Sequence, residues 1–209
     1  MKEASVNNPM IPANNVGKGL DLEHSVTEDS IEEAITTFKR ACKRLLNPPV
    51  WHQLSGAISA SFKLETQSKD EANRLAQIND FLLIDIPGPG PAAGDGYDWV
   101  KVENIAEDAD PAAEQSFGMT LKATPNPDKP EQGIAHFFGE GATSTFIIKR
   151  NNNTVSASYY GRNELPNTKK ASFPDKIRNS IIAAGAMAGI SELQWMALIK
   201  GLLQKEIGG

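Results

Sequence analysis

"TFIIKRNNNTVSASYY", residues 145–160, predicts a β-hairpin and with it the class of the fold. Two runs of strand-forming residues flank Asn151-Asn152-Asn153, and asparagine tolerates the positive φ angles of tight turns. After the turn, small or apolar residues alternate with hydroxyl-bearing residues, which is the period of a strand with one buried and one wet face. Antiparallel strands are therefore predicted over residues 145–150 and 154–160.

The segments before this hairpin carry five further strand patterns. Each pattern is short, and each is bounded by residues that favour turns. Because parallel neighbours need a long crossover connection, this close spacing favours an antiparallel meander. The five predicted strands cover residues 57–64, 81–86, 98–105, 117–123 and 134–138.

Helical patterns stand on both sides of the predicted strands. Residues 28–46 repeat apolar side chains at intervals of three and four, and Thr27 is placed to cap them. Towards the end of the chain, Pro174 suits the first turn of one helix. The capping box Ser191-Glu-Leu-Gln194 opens a second, so a C-terminal helix pair is predicted.

These elements predict one α+β domain over residues 25–209. Its centre is a curved antiparallel sheet or partly closed barrel of six or seven strands, packed by an N-terminal helix and the C-terminal helix pair. The order of elements resembles, by analogy alone, that of helix-grip domains, in which a bent sheet wraps a long C-terminal helix and can enclose an apolar cavity. Residues 1–24 are polar and rich in Asn, Pro and Gly, which predicts a flexible N-terminal tail.

Composition and charge narrow the classes of function. A chain of 209 residues that is 40% apolar can bury a core, and its net charge of −5 argues against nucleic-acid binding. No run approaches the roughly 18 apolar residues of a membrane span, and the N-terminus lacks the apolar core of a secretory signal. Cys42, the single cysteine, lies on the apolar face of the first helix pattern and is interpreted as a buried structural thiol. We expect a soluble cytoplasmic protein.

The stretch "GPGPAA", residues 88–93, satisfies the dinucleotide-binding pattern G-x-G-x-x-[GA] letter by letter. A dinucleotide turn needs free backbone N–H groups and a helix that begins at the turn. Pro89 and Pro91 each remove a donor, and a strand pattern follows in place of a helix. We therefore expect a rigid connection between strands and no cofactor. The three histidines show no ligand spacing and no CxxC is present, so no metal site is expected.

Six residues are candidates for ligand binding. In an extended strand, His136 and Glu140 would share a face and suit acid–base chemistry; the alternative is a histidine satisfied at a sheet surface. Residues 154–162 place a row of hydroxyls on one face, which either lines a pocket, with a guanidinium to receive an anion, or forms the wet side of the sheet. The candidate residues are His136, Glu140, Ser156, Ser158, Tyr160 and Arg162.

Three functions remain open on the sequence alone. The first is a non-catalytic module for a hydrophobic or amphipathic small molecule, which predicts a cavity on the order of several hundred cubic ångströms between sheet and helices. The second is a component of a protein assembly that uses a sheet edge, the tail or the C-terminal helices as its contact surface. The third is an enzyme of unknown class, for which no catalytic residue is assigned. Fold class does not choose among them.

Overall fold

The computed structural model describes residues 8–56, 60–65, 74–85, 92–110, 114–167 and 192–205. Its strands are β1 Lys18–Thr27, β2 Ser61–Glu65, β3 Phe81–Asp85, β4 Asp98–Asp110, β5 Glu114–Ala123, β6 Thr143–Asn151 and β7 Thr154–Glu164. They form one seven-stranded sheet in the order β1-β7-β6-β5-β4-β3-β2, and every neighbouring pair is antiparallel. Since β1 and β2 stand at opposite edges, the sheet is open.

Helices precede and follow the meander. Helix α1 covers Ile31–Leu45, a 3-10 turn covers Pro48–Val50, and α2 covers Trp51–Ser55. Residues 192–203 are helical and form α3. The predicted α+β class with an antiparallel sheet of seven strands is confirmed, while the helix expected from Pro174 lies outside the described residues. No helix in the described ranges is long and apolar enough to span a bilayer.

Helix α1 begins at Ile31, not at residue 28 as the sequence pattern predicts. Thr27 cannot cap it, because Thr27 ends β1 and pairs with Thr154 of β7. Ser30 is the N-cap instead, and its Oγ accepts the backbone N–H of Glu33 at 3.1 Å. Of the predicted apolar face, Ala34, Phe38, Ala41 and Leu45 are buried, whereas Ile31 is exposed.

Two strand predictions need correction. Residues 134–138 form no strand, because the chain bends there and makes only isolated bridges. Conversely, residues 18–24 of the predicted tail belong to β1, whose hydrogen bonds go to β7. In β1, Leu22 is buried and Glu23 is exposed, as a half-buried strand requires. Seven strands were predicted and seven are observed among the described residues, but β1 takes the place of the strand predicted at residues 134–138.

The connection that contains "GPGPAA" joins β3 to β4, and these two strands are antiparallel neighbours in the sheet. A dinucleotide fold needs a parallel pair at this point. The structural part of the prediction, a connection between adjoining strands, is therefore confirmed. Residues 86–91 themselves lie outside the described part of the chain.

Aromatic rings fill the centre between the inner face of the sheet and the helices. Trp195 of α3 stacks on Tyr159 of β7, with ring centroids 5.3 Å apart at an angle of 18°, and meets Phe146 edge-on at 5.3 Å. Trp51 of α2 lies 5.1 Å from Phe62. Such rings contribute large buried areas and favourable edge or stacked contacts. These contacts hold α2 and α3 against the inner face of the sheet.

A buried arginine of α1 holds the C-terminal end of α3. The guanidinium of Arg44 donates to the backbone oxygens of Gly201, Leu202 and Gln204 at 3.1, 3.2 and 2.5 Å. The last carbonyls of a helix have no partner within the helix, and the helix dipole favours a cation beside them. The contact fixes α3 to α1, and with it the position of Trp195 against the sheet.

Candidate functional site

Strand β7 divides its side chains between two faces, as its sequence predicts. Val155, Ala157 and Tyr159 belong to the core on the inner face. The intervening residues, Ser156, Ser158 and Tyr160, line a groove on the outer face of the sheet. Three of the six candidate residues therefore meet at one site, on the side of the sheet that faces away from the helices.

The groove has a volume of about 770 Å³, within the range of roughly 300–1,000 Å³ that is usual for ligand sites. Strands β1 and β4–β7 form its floor, and residues 8–10 before β1 form one wall. Met10, Ala106 and Ile147 supply apolar surface to it. Apolar and polar groups therefore lie side by side in the groove.

Negative charge exceeds positive charge in the groove. Lys149 lines it and forms an ion pair with Glu114. The hydroxyl of Ser158 donates to Oε2 of Glu23 at 3.4 Å. The carboxylates on the groove's face of the sheet are those of Glu23, Asp108 and Glu114, whereas Glu107 pairs with the core residue Phe117. Hydrogen-bond acceptors thus surround the apolar part of the floor.

Arg162 lies on the same outer face, at the end of β7 beside the groove. Its guanidinium carbon is 5.5 Å from the centroid of the Tyr160 ring, and it forms an ion pair with Asp21. The anion that Arg162 was predicted to receive would therefore compete with a carboxylate that is already in place. Burial raises the pKa of Tyr160, and the carboxylates of Glu23 and Asp21 raise it further, so the phenol is neutral at pH 7.

His136 and Glu140 stand apart from the groove. Their predicted shared face depended on a strand over residues 134–138, and the chain bends there instead. The Nδ1 atom of His136 accepts the backbone N–H of Phe138 at 3.0 Å, and Glu140 is exposed in a turn. Burial lowers the pKa of His136, although the Asp98 carboxylate opposes this shift. A neutral imidazole held by its own loop fits the structural alternative better than an acid–base pair.

A buried polar cluster on the inner face was not anticipated from the sequence. The hydroxyl of Tyr159 lies 3.1 Å from Oγ of Ser144 and donates to Oε1 of Glu164 at 3.4 Å. Burial raises the pKa of Glu164 and the pKa of Tyr159. A Cβ at Gly161 would lie 2.2 Å from Oε1 of Glu164, so the carboxylate occupies space that only glycine leaves open. This cluster joins β6 and β7 at the rim of the aromatic core.

Cys42 is partly buried on α1. Burial raises the pKa of its thiol to about 12, and the nearby Glu107 carboxylate contributes to the shift. The thiol is therefore protonated at neutral pH and is a poor nucleophile, because the thiolate is the reactive form. Among the described residues, no group of three or more His, Cys, Asp or Glu side chains is placed to hold a metal ion.

Comparisons with known proteins place the chain in no family. No family model matches its sequence, and no curated protein matches it. Similar solved structures include one from Arthrobacter aurescens, at 13% identity and a TM-score of 0.41, covering 90% of this chain and 87% of that one. A Mycobacterium smegmatis protein has 13% identity and a TM-score of 0.40, with coverages of 90% and 91%. The major latex-like protein 151 of Panax ginseng has 10% identity and a TM-score of 0.36, with coverages of 84% and 99%. Likeness at this level carries no argument about function.

Several groove residues were missed by sequence reasoning, and one signal pointed to some of them. Residues 20–26 alternate Leu, Asp, Leu, Glu, His, Ser and Val, which is the period of a strand and places Glu23 on the outer face. Their position within a polar N-terminal segment obscured this pattern. Met10 and its neighbours carry no such signal, because an irregular segment has no period from which its packing can be inferred.

Proposed function

We propose that this protein is a non-catalytic binding module for an amphipathic small molecule held in the outer groove. The observation that carries the proposal is the groove of about 770 Å³, in which Met10, Ala106 and Ile147 lie beside hydroxyls and carboxylates. A concave site with mainly apolar surface and a few fixed polar groups suits a ligand with an apolar body and a polar end. The proposed site therefore lies on the opposite face from the sheet–helix space that the sequence suggested.

The charge of the groove selects the polar end of the ligand. The three carboxylates of Glu23, Asp108 and Glu114 line it against the single ammonium of Lys149, which is paired with Glu114. Complementary charge favours association, and like charge disfavours it. A ligand that carries an ammonium group should therefore bind more tightly than a carboxylate of the same chain length.

The hydroxyls of the groove support binding over catalysis. A serine becomes a nucleophile when an adjacent base removes its proton. The neighbour of Ser158 is the Glu23 carboxylate, at 3.4 Å, which is a weak base and a long contact for proton transfer. The phenol of Tyr160 is neutral at pH 7 because burial raises its pKa. These groups are suited to accept and donate hydrogen bonds to a bound molecule.

Thermal shift with three amphiphiles of one chain length tests the proposal. Dodecyltrimethylammonium, dodecyl maltoside and dodecanoate are added below their micelle concentrations. The ammonium compound should raise the melting temperature in a concentration-dependent way, and dodecanoate should have the smallest effect. If none of the three changes the melting temperature, an amphipathic ligand is excluded and the proposal fails.

Two variants locate the site. Ser156→Phe fills the groove from its floor, on a face that does not touch the core. Ser25→Phe is the matched control, because Ser25 pairs with Ser156 across β1 and β7 on the same face but does not line the groove. We expect Ser156→Phe to abolish the shift and Ser25→Phe to retain it. Equal shifts in both variants would place the ligand elsewhere.

A further inference from the structure

Residues 8–16, here named the strap, cross the outer face of the sheet beside the groove. The first three, Asn8–Met10, form a wall of the groove. The backbone oxygen of Met10 also accepts a hydrogen bond from the hydroxyl of Thr120 on β5, at 3.4 Å. Residues 13–16 are exposed to solvent. The strap is therefore a thin covering segment attached to the sheet at a few points.

One asparagine at the end of β7 fastens the strap. Oδ1 of Asn163 accepts the backbone N–H groups of Asn15 and Val16 at 2.8 and 3.1 Å. Its Nδ2 donates to the oxygen of Ala13 at 3.2 Å, and its own N–H donates to Oδ1 of Asn14 at 2.8 Å. Asn163 has a φ of 57°, a left-handed conformation that asparagine adopts more readily than most residues. The side-chain oxygen, the side-chain nitrogen and the backbone N–H of Asn163 therefore all form hydrogen bonds with the strap.

A glycine on β5 provides the second attachment point. A Cβ at Gly118 would lie 2.7 Å from Sδ of Met10 and 2.8 Å from its Cε. The methionine therefore occupies the space that the missing side chain leaves. Glycine within a strand weakens it, and often marks a close approach by another part of the structure. Here the close approach is that of the strap.

We propose that the strap is a gate for the outer groove, closed by the amide of Asn163 and by Met10 seated on Gly118. Segments with exposed hydrogen bonds and few buried contacts open locally at much lower free energy than the sheet to which they are attached. Opening would remove the wall formed by residues 8–10 and admit or release a ligand. The role in ligand entry rests on the proposed function, whereas the motion itself can be measured without any ligand.

Asn163, which holds the strap, lies next to a residue that contacts the groove. Arg162 precedes Asn163 and lies against the ring of Tyr160, which lines the groove. The strap residue Asn14 lies close to the same guanidinium, since both are 3.5 Å from where a Cβ on Gly19 would stand. Release of the strap therefore changes the surroundings of a groove residue as well as the wall.

The labelling rate of an introduced cysteine tests the gate. Ser158 lines the groove and is 5% exposed in the closed structure, so the thiol of Ser158→Cys reports opening. Cys42 contributes little background, because burial raises the pKa of its thiol. The rate of reaction with 5,5′-dithiobis(2-nitrobenzoate) is compared with and without Asn163→Gly, which removes the side-chain hydrogen bonds while glycine keeps the left-handed backbone. We expect a rise of at least tenfold.

Two further variants make the result decisive. Met10→Ala empties the seat on Gly118 without changing the sheet, and should also accelerate labelling of Ser158→Cys. Glu131→Cys, exposed in the 3-10 turn Pro130–Gln132, should react at the same rate with and without Asn163→Gly. Circular dichroism confirms that each variant is folded. If Asn163→Gly and Met10→Ala each change the labelling rate of Ser158→Cys by less than twofold, the proposed gate is overturned.

The two proposals can fail separately. Faster labelling in Asn163→Gly together with no thermal shift from any amphiphile supports the gate and refutes the proposed function. A thermal shift that Ser156→Phe abolishes, together with unchanged labelling, supports the ligand site and overturns the gate.

Discussion

Replacing Arg44 by methionine should destabilise the protein by about 2–4 kcal/mol. The guanidinium donates to three carbonyls at the end of α3, and two of these, on Gly201 and Leu202, belong to buried residues. The third, on Gln204, belongs to an exposed residue and can turn to water. A hydrogen bond to a charged group contributes roughly 1.5–3 kcal/mol, so two lost bonds set an upper limit of about 6 kcal/mol. Methionine keeps the packing of the aliphatic part of the arginine side chain. Water that reaches the freed carbonyls recovers part of the lost hydrogen-bond energy.

Urea unfolding followed by tryptophan fluorescence measures this loss, because Trp51 and Trp195 lie in the core that α3 completes. Lys43→Met is the matched control, since Lys43 is exposed in the same last turn of α1 and its change should stay within about 0.5 kcal/mol. If Arg44→Met lowered the free energy of unfolding by less than about 1 kcal/mol at an unchanged m-value, the guanidinium would not be what holds α3 in place.

Two other predictions concern the same helix layer. The buried Glu28 carboxylate accepts Lys205 Nζ at 2.9 Å and Thr37 Oγ1 at 2.7 Å, and these contacts lower its pKa from 4.5. Its stabilising contribution is thus complete above pH 4.5 and is lost as the pH falls through the lowered folded-state pKa. In urea titrations, the stability difference between the wild type and Glu28→Gln should shrink across that acidic range; a constant difference would contradict the assignment. Gly201→Ala should cost about 1–3 kcal/mol in the same assay, because its Cβ would lie 2.3 Å from the backbone oxygen of Leu54. An unchanged urea midpoint would show that α2 and α3 can move apart at residue 201 without any loss of stability.

The parts of the fold that follow a local period were predictable from the sequence. The hairpin of β6 and β7 and the apolar face of α1 repeat at intervals that identify strand and helix without knowledge of their partners. The pattern at residues 134–138 failed because the carboxylate of Asp98 accepts the backbone N–H of Phe137, and Asn167 donates to the oxygens of Ile134 and His136. These partners come from distant parts of the chain, so a local pattern cannot reveal them. Strand β1 does carry a local alternation, but it follows a polar segment typical of a tail, and only its pairing with β7 identifies it as a strand.

The candidate site was predictable to the extent that it lies on one strand. Alternation along β7 identified Ser156, Ser158 and Tyr160 as one face, and the structure brings these three together in the groove. The wall and the opposing carboxylates come from residues 8–10, Glu23 and β4–β5, and sequence spacing does not indicate which of these meet. The pairing of Arg162 with Asp21 was hidden for the same reason, and it changes the interpretation of that guanidinium from an open anion site to an occupied one.

The side chains of the central strands differ in size between the two faces of the sheet. Large rings such as Phe146 and Tyr159 point inward, where Tyr159 stacks on Trp195 and Phe146 meets it edge-on. The outward positions beside them are small, with Gly118 paired to Ala106 across β4 and β5. Met10 of the strap occupies the space beside Gly118 and forms part of the groove wall. Because the side-chain period of a strand is two, one alternation places the aromatic rings on the inner face and the groove residues on the outer face. The proposed ligand site lies on the face of the sheet opposite α1 and the aromatic core.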